Sequence, residues 1–369
     1  MSVFRPNWQA LMSLLATLYS LTAVPFTDSM GSGTPLIVVA ILLAGALASM
    51  LRLSFALEAA VLTLASFGAA AVLIGGLADA FGTASRGYFA ALGAAWLLGW
   101  RLVTVLSGDG SRGSDGGGGT AIIVPALFGL WVVILWECIV RGAGVPFVLL
   151  PPPSAIGLKI TNSTSILAAD FKQTVLKAVL FGYVVGSLTG FLVAILADRF
   201  RFFANGLLPI GNMVSALPMI GIAPVMVIWF GFDWQSKAAV VIVMTFFPML
   251  VNTLAGLAAS SDMERDLMRT YGATHWQVLL KLRLQAAMPF IFNALKINST
   301  LALIGAIVAE FFGTPIVGMG FRISTEVGRM NLDMVWAEIA MAAIVGSLFY
   351  GALALLERSV TFWHPSYRR

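Results

Sequence analysis

Long apolar runs alternate with short polar connections along the whole chain. A bilayer core of about 30 Å is crossed by roughly 20 apolar residues in a helix. Ten runs approach this length, at about 9–27, 34–51, 55–77, 87–106, 121–140, 172–197, 206–230, 236–258, 290–313 and 335–357. They lack the two-residue alternation of barrel strands, and lipid offers no hydrogen-bond partners to an open backbone. The sequence therefore predicts an all-α polytopic membrane protein with ten spans.

A stretch rich in glycine, serine and aspartate divides these runs into groups of four and six. It covers residues 108–120 and has the composition of a flexible linker. We predict an N-terminal transmembrane extension at 1–107 and a six-span core at 121–369. A long polar loop interrupts the core at 260–289, between the eighth and ninth runs.

Composition agrees with lipid as the main solvent. Of the 369 residues, 59% are hydrophobic and 11% are charged, whereas soluble domains carry about a quarter charged residues. The net charge of +5 does not indicate nucleic acid, because membrane proteins retain Lys and Arg on the cytosolic side. An even number of spans puts both termini on one side, and a cytosolic location places most of the 22 basic residues inside. Cys138 is the only cysteine, which excludes an intramolecular disulfide, and two histidines leave little for a metal site.

The polar loop at 260–289 keeps helical periodicity despite its charges. Asp262 is placed to cap a first helix, Gly272 interrupts it, and Thr274 is placed to cap a second short helix. The pattern predicts an amphipathic helix–glycine–helix element. By itself it leaves two alternatives open, a helix lying on the membrane surface or a helix docking onto a partner.

This loop resembles the cytosolic coupling loop of binding-protein-dependent ABC importer permeases. That family's signature is EAA, three residues, Gly, nine residues, Ile, one residue, Leu-Pro. With the glycine on Gly272, the acidic residue falls on Asp266, and the other positions fall on Leu267, Met268, Leu282, Leu284 and Gln285. Both alanines and the final proline are therefore replaced. The following run, Gly272–Gln277, resembles the G-A-S-x-W-Q run of the sulfonate, taurine and nitrate branch.

Four further segments match that branch in the same order. They are Leu150–Ser154 (L-P-x-P-S), Ala216-Leu217-Pro218 with Pro224 and Trp229-Phe230-Gly231, Ala309-Glu310 with Gly318-Met319-Gly320, and Glu357-Arg358 with Trp363-His364-Pro365. The resemblance covers about residues 125–369. It implies a six-span type I ABC importer permease core, preceded here by about four extra N-terminal helices.

The resemblance also implies a function and a set of partners. The chain would be the transmembrane permease subunit of an ABC importer, forming the pathway for a small polar or anionic solute delivered by a periplasmic or extracytoplasmic solute-binding protein. Its partners would be ABC ATPase subunits, a second copy of the chain in a homodimer, and membrane lipid. No nucleotide-binding motif occurs in the sequence, so ATP and Mg²⁺ would bind the partner ATPase, and this chain would bind no cofactor and not be an enzyme. The location implied is the bacterial plasma membrane, with both termini cytoplasmic.

Two groups of site residues follow. Carried over from the family motif, coupling to the ATPase falls on Asp266, Leu267, Met268, Tyr271, Gly272 and Ala273. Polar or helix-breaking residues inside apolar runs predict a cavity-facing translocation pathway formed by Asn212, Ser215, Pro218, Pro224, Asn252, Asn298 and Glu310. Glu310 has alternatives: a structural carboxylate bonded to backbone, or a residue at the membrane interface.

Two other classes of membrane protein are disfavoured by the sequence. A self-sufficient secondary transporter or channel commonly has related halves with broken helices, and no repeat is found. A membrane-embedded enzyme needs clustered acids or histidines, and the acids here are scattered.

Overall fold

The computed structural model describes residues 7–31, 33–51, 53–77, 80–109, 120–200, 206, 219–313 and 316–363. Within these residues, eight helical stretches are long and apolar enough to cross a membrane. They are Gly33–Met50, Phe55–Gly75, Arg86–Gly108, Ile122–Gly142, Thr164–Arg199, Trp234–Ala258, His275–Glu310 and Leu332–Val360. The all-α polytopic fold predicted from the sequence is confirmed.

The two remaining predicted spans, at 9–27 and 206–230, are not among these eight stretches. The run at 9–27 forms a helix of only 13 residues, α1 (Trp8–Ser20), followed by a 3₁₀ turn at Leu21–Ala23. It stops there because Val24, which precedes Pro25, is extended, as residues before proline usually are. The run at 206–230 is described only at Gly206 and in a helix from Met219 to Phe230, and the rest of it lies outside the described residues.

The chain folds as two compact units, Met1–Leu158 and Lys159–Arg369. The first unit contains α1, α2 (Gly33–Met50), α3 (Phe55–Gly75), α4 (Arg86–Asp109) and α5 (Thr120–Gly142). Helix α6 (Pro153–Asn162) crosses the boundary between the units. The predicted linker lies mostly at residues 110–119, which are outside the described part of the chain.

Helices α1 to α4 pack around one apolar core, to which α5 adds Trp131, Ile134 and Cys138. Close packing there depends on small residues, since a Cβ on Gly45 would lie 2.4 Å from the Cβ of Ala65. One end of the bundle is held by Arg101, whose Nη2 lies 2.8 Å from Glu58 Oε1.

The second unit contains four of the eight long apolar stretches. It runs through α7 (Thr164–Phe171), a π-helical segment at Lys172–Val179, α8 (Leu180–Arg199), α9 (Met219–Phe230), α10 (Trp234–Ala258), α11 (Asp262–Thr270), α12 (His275–Val278), a second π-helical segment at Leu279–Arg283, α13 (Leu284–Glu310), α14 (Met319–Gly328) and α15 (Leu332–Val360). Helix α10 packs closely against both α8 and α13.

Glycines on α8 allow the close contact with α10. A Cβ on Gly182 would lie 2.6 Å from Val241 Cβ, and one on Gly186 would lie 2.1 Å from Thr245 Oγ1. Gly190 lies in the same way against Phe246, so the contact repeats every four residues. Lipid gives helices no hydrophobic reason to associate, so this backbone approach and its dispersion contacts stabilise the pair.

Candidate functional site

The polar loop contains one short helix and the start of a long helical stretch, each begun by a reciprocal cap. Ser261, rather than the expected Asp262, is the N-cap of α11. Its Oγ accepts the Glu264 N–H at 3.3 Å, and Glu264 Oε2 accepts the Ser261 N–H at 2.9 Å. Ser261 is the N-cap because Glu264 lies three residues after it, which is the spacing that a capping box requires. Thr274 caps α12 as predicted and pairs with Gln277 in the same way.

The electrostatics of the first cap reinforce it. The backbone N–H and then the hydroxyl of Ser261 hydrogen-bond to the Glu264 carboxylate, and these bonds hold its pKa below the ordinary value. The carboxylate is therefore ionised at neutral pH, in the first turn of α11, where negative charge suits the helix dipole.

Gly272 ends α11 in a left-handed conformation, with φ of +68°. The Gly272 N–H donates to Arg269 O and the Ala273 N–H to Met268 O, so two carbonyls at the helix end are satisfied. A Cβ on Gly272 would meet nothing within 4 Å. A substitution here is therefore destabilising because of the backbone angles that the new residue must adopt, and not because space is lacking.

The apolar side chains of the loop face outward. No residue of α11 is buried; Leu267 is 57% exposed and Tyr271 is 82% exposed. Met263 and Trp276 are exposed as well, and Met268 and Ala273 are partly exposed. Asp266, the remaining predicted coupling residue, is exposed and pairs with Arg269 at 3.2 Å. The loop thus carries an apolar surface that the rest of its unit leaves uncovered in the described structure.

A partly buried ion pair fixes the base of this loop. Arg283 donates through Nη1 and Nη2 to both oxygens of Asp198, at 2.7 and 2.6 Å, and through Nε to Leu257 O. It therefore joins the loop to the ends of α8 and α10. Arg265 adds bonds to Ser260 Oγ and Ala258 O. Sequence reasoning missed the pair because its members lie 85 residues apart.

Glu310 lies at the opposite end of α13 from the loop and is only 3% exposed. Its Oε1 accepts the Thr174 hydroxyl at 2.7 Å, and its Oε2 accepts the Gly320 N–H at 2.7 Å. These contacts favour the structural alternative, a carboxylate that holds the N-terminus of α14. A role in the pathway stays a prediction.

Other ionic groups are buried beside it. Asp170 accepts the Gly318 N–H at 2.7 Å and pairs with Arg322 at 2.9 Å. Lys237 is 1% exposed, and its Nζ donates to the carbonyls of Phe232 and Gly313. Neither Asp170 nor Lys237 was selected from the sequence, because each lies near the end of an apolar run and looks there like an interfacial charge.

The remaining predicted pathway residues are dispersed. Asn298 is fully buried, and its Nδ2 donates to Ser187 Oγ and Thr245 O, which joins α8, α10 and α13. Asn252 donates to Pro248 O within its own helix, and Pro224 is half-buried inside α9. Asn212, Ser215 and Pro218 lie outside the described residues. The six coupling residues are neighbours in the sequence and lie on one loop, whereas the described pathway residues lie on α9, α10 and α13, and their role in a pathway stays a prediction.

Residues 155–362 of the sequence match one family model. The family is the binding-protein-dependent transport system inner membrane component. The chain belongs to this family. It is a multi-pass membrane permease of a binding-protein-dependent ABC transporter, and helices α1 to α5 precede the matched region. Among the described residues, no three histidine, cysteine, aspartate or glutamate side chains are grouped as metal ligands.

Relatives of the permease are named for several kinds of solute. It is 30% identical over 239 residues to the formylaminopyrimidine transport permease protein of Halalkalibacterium halodurans, covering 65% of this chain and 95% of the relative. It is 28% identical over 251 residues to a putative aliphatic sulfonates transport permease protein of Bacillus subtilis, covering 67% and 88%. The taurine transport system permease protein of Escherichia coli is 29% identical over 229 residues, covering 58% and 80%.

Proposed function

We propose that this permease couples ATP hydrolysis on separate ATPase subunits to the import of a small polar or anionic solute. The solute arrives on an extracytoplasmic binding protein, and two copies of the chain form the pathway in a bacterial plasma membrane. Relatives named for aliphatic sulfonates and taurine support an anionic or zwitterionic solute, whereas a relative named for formylaminopyrimidine supports a neutral polar one.

The exposed apolar face of the polar loop carries this proposal. Leu267 and Tyr271 remain exposed although the loop is rigidly capped and tied to α8 and α10 through Arg283. A rigid projecting helix with an uncovered apolar face fits insertion into a groove on a partner. Movement of that partner then reaches two long helices through a bidentate ion pair, so the loop and its helices move as one body.

The test is retention of the ATPase subunit. The tagged permease is co-expressed with its cognate ATPase, extracted in detergent, and the bound ATPase is quantified. We expect Leu267→Ala combined with Tyr271→Ala to reduce retention at least about tenfold, since such central apolar anchors dominate interfaces. Val327→Ala, an exposed apolar residue on α14, is the matched control and should retain the ATPase.

Two results would contradict the proposal. One is full ATPase retention by the double variant. The other is ATP hydrolysis that never depends on the permease in reconstituted vesicles with the binding protein present. Gly272→Val provides an independent check, because valine at positive φ distorts the end of α11 without removing an apolar contact.

A further inference from the structure

A polar pocket lies at the junction of α7, the first π segment and the start of α10. It has a volume of about 370 Å³ and is lined by Ala169, Lys172, Gln173, Lys177, Asp233 and Val317. This volume is large enough for a small ligand. The pocket belongs wholly to the second unit and contains none of the residues described above as coupling or pathway residues.

The π conformation brings two lysines to this pocket. Lys172 and Lys177 lie five residues apart in the segment at 172–179, where the Leu180 N–H donates to Val175 O, also five residues back. In a π-helix the backbone hydrogen bond joins residues five apart, and both lysine side chains line the pocket. In an α-helix, side chains three or four residues apart are neighbours instead. Such π turns are rare and occur frequently at functional sites.

The two lysines that line the pocket have few polar partners among the described residues. Among the described residues, neither Lys172 nor Lys177 forms an ion pair, and Lys177 Nζ donates only to the amide oxygen of Gln173, at 2.8 Å. Gln173 is 7% exposed, and its Nε2 donates to Asp233 Oδ1 at 2.6 Å.

Asp233 is already used by the start of α10. Its Oδ1 also accepts the Trp234 N–H at 2.8 Å, as the N-cap of that helix. The pocket lining thus contains two ammonium groups and one carboxylate, which is already held by an amide and a helix start. An excess positive charge with free donors is left in the pocket, and it favours an anion.

The pocket lies at the end of the unit away from the polar loop. Helix α8 reaches the loop at its C-terminal end, where Asp198 pairs with Arg283, whereas the π segment precedes its N-terminal end. Helix α10 likewise begins at Asp233 and runs to Ala258 beside the loop. If the loop faces the ATPase, the pocket faces the side on which solute arrives.

We propose that this pocket binds a single oxyanion group, a sulfonate, carboxylate or phosphate, between the ammonium groups of Lys172 and Lys177. Gln173 fixes the position of Lys177. The role of the site as an early contact for an anionic solute rests on the permease function proposed above. The same chemistry occurs in the phosphate of an anionic lipid headgroup, so the test separates the two sources.

The experiment measures anion binding to the full chain alone. The purified chain in phosphatidylcholine nanodiscs is dialysed against ³⁵S-labelled sulfate at low ionic strength, with methanesulfonate as competitor. We expect saturable binding near one sulfate per chain, weakened at least about tenfold in the Lys172→Gln/Lys177→Gln variant. The matched control is Arg269→Gln/Lys281→Gln, which removes two exposed charges from the polar loop and should leave binding unchanged. Unchanged thermal unfolding of both variants verifies that they are folded.

A second arm tests the lipid. Native mass spectrometry of the chain extracted from phosphatidylglycerol-containing membranes reports retained lipid. Lysine-dependent retention of phosphatidylglycerol without sulfate binding supports the oxyanion site and assigns it to a headgroup. Sulfate and lipid binding that are both absent, or both unchanged in the Lys172→Gln/Lys177→Gln variant, overturn the proposal. Neither arm uses ATP, so failure of ATP-dependent uptake by a chain that still binds sulfate counts against the permease function alone.

Discussion

Glu310 and two glycines of the segment before and within α14 form one steric unit. A Cβ on Gly320 would lie 2.1 Å from Ile307 O, and a Cβ on Gly318 would lie 2.8 Å from the Glu310 carboxylate. The carboxylate therefore reaches the backbone N–H of Gly320 only because both positions lack a side chain. The spacing between Ala309-Glu310 and Gly318-Met319-Gly320 thus has a physical cause, which is close approach of backbone to a buried acid.

We predict that Glu310→Ala destabilises the chain by roughly 2–4 kcal/mol, because two buried donors, the Thr174 hydroxyl and the Gly320 N–H, lose their acceptor. Glu310→Gln keeps one acceptor and should lie between alanine and the wild type. The measurement is thermal unfolding in detergent, followed by tryptophan fluorescence. Asp266→Asn, at an exposed position of the polar loop, is the control and should unfold with the wild type.

A different result would restore the pathway interpretation of Glu310. If Glu310→Gln unfolds with the wild type but ATP-dependent uptake is lost, the anchoring role is wrong and contact with solute is favoured. Loss of both together supports the anchor.

At the residue scale, the sequence identifies single side chains of interest but not the residues with which they form hydrogen bonds. Glu310 stands out as a carboxylate in an apolar run, and Thr274 stands out as a cap, because both signals are local. The partner of Glu310, Thr174, is 136 residues away, and nothing in either segment predicts the pairing. Ser261 and Asp262 are both good N-cap residues, and only the reciprocal bond with Glu264 decides between them.

Among the elements, α8 depends most directly on small residues. Gly182, Gly186 and Gly190 form one stripe against α10, and a Cβ on Gly186 would also lie 2.7 Å from the backbone oxygen of Ile242. A backbone atom cannot move aside as a flexible side chain can. The helices must therefore separate if a methyl group is added.

We predict that Gly186→Ala lowers the stability of the chain by about 1–3 kcal/mol through overpacking, despite the better helix propensity of alanine. Gly351→Ala is the matched control, since a Cβ there meets nothing within 4 Å and the position also lies inside a membrane-spanning helix. Thermal unfolding of the two variants in the same detergent makes the comparison. A Gly186→Ala variant that unfolds no earlier than Gly351→Ala would show that the two helices do not pack this closely.

The apolar runs predict the long helices well, since their length is fixed by the membrane. The first and last residues of each helix are harder to predict. The sequence places the start of the ninth span at 290, after Pro289, whereas the helix continues from His275 through Pro289 to Glu310. Proline is tolerated inside membrane helices because it removes only one backbone donor and neighbours compensate. Neither π segment is predictable from apolar periodicity, which assumes one turn length throughout.

At the scale of the whole molecule, the family match lies almost wholly in the second unit. The family match begins at residue 155, close to the division between Leu158 and Lys159, and leaves α1 to α5 unmatched. These helices nevertheless share a continuous apolar core that includes Cys138, which is fully buried against residues such as Tyr88. Helices α1 to α5 thus form a folded bundle and are not a set of independent anchors.

The single cysteine reports on this bundle. We predict that Cys138 in intact membranes reacts slowly with N-ethylmaleimide, because the reagent reaches it only when the core opens. Tyr88→Ala leaves a cavity beside it and should raise the labelling rate at least about tenfold. Tyr350→Ala, at a half-exposed position of α15, should leave the rate unchanged. Rapid labelling of the wild-type chain would mean that the bundle is open.

The first π segment also sets the rotational register of the helix that contains it. Each α-helical residue turns the chain by about 100°, so a surplus residue at 172–179 rotates everything after it relative to Thr164–Phe171. Deleting one residue there would preserve a helix of good composition and yet turn the glycine stripe of α8 away from α10. At this point the number of residues, more than their identity, determines which helix faces meet. One helical wheel drawn from Thr164 to Arg199 would therefore superimpose two unrelated faces of the helix.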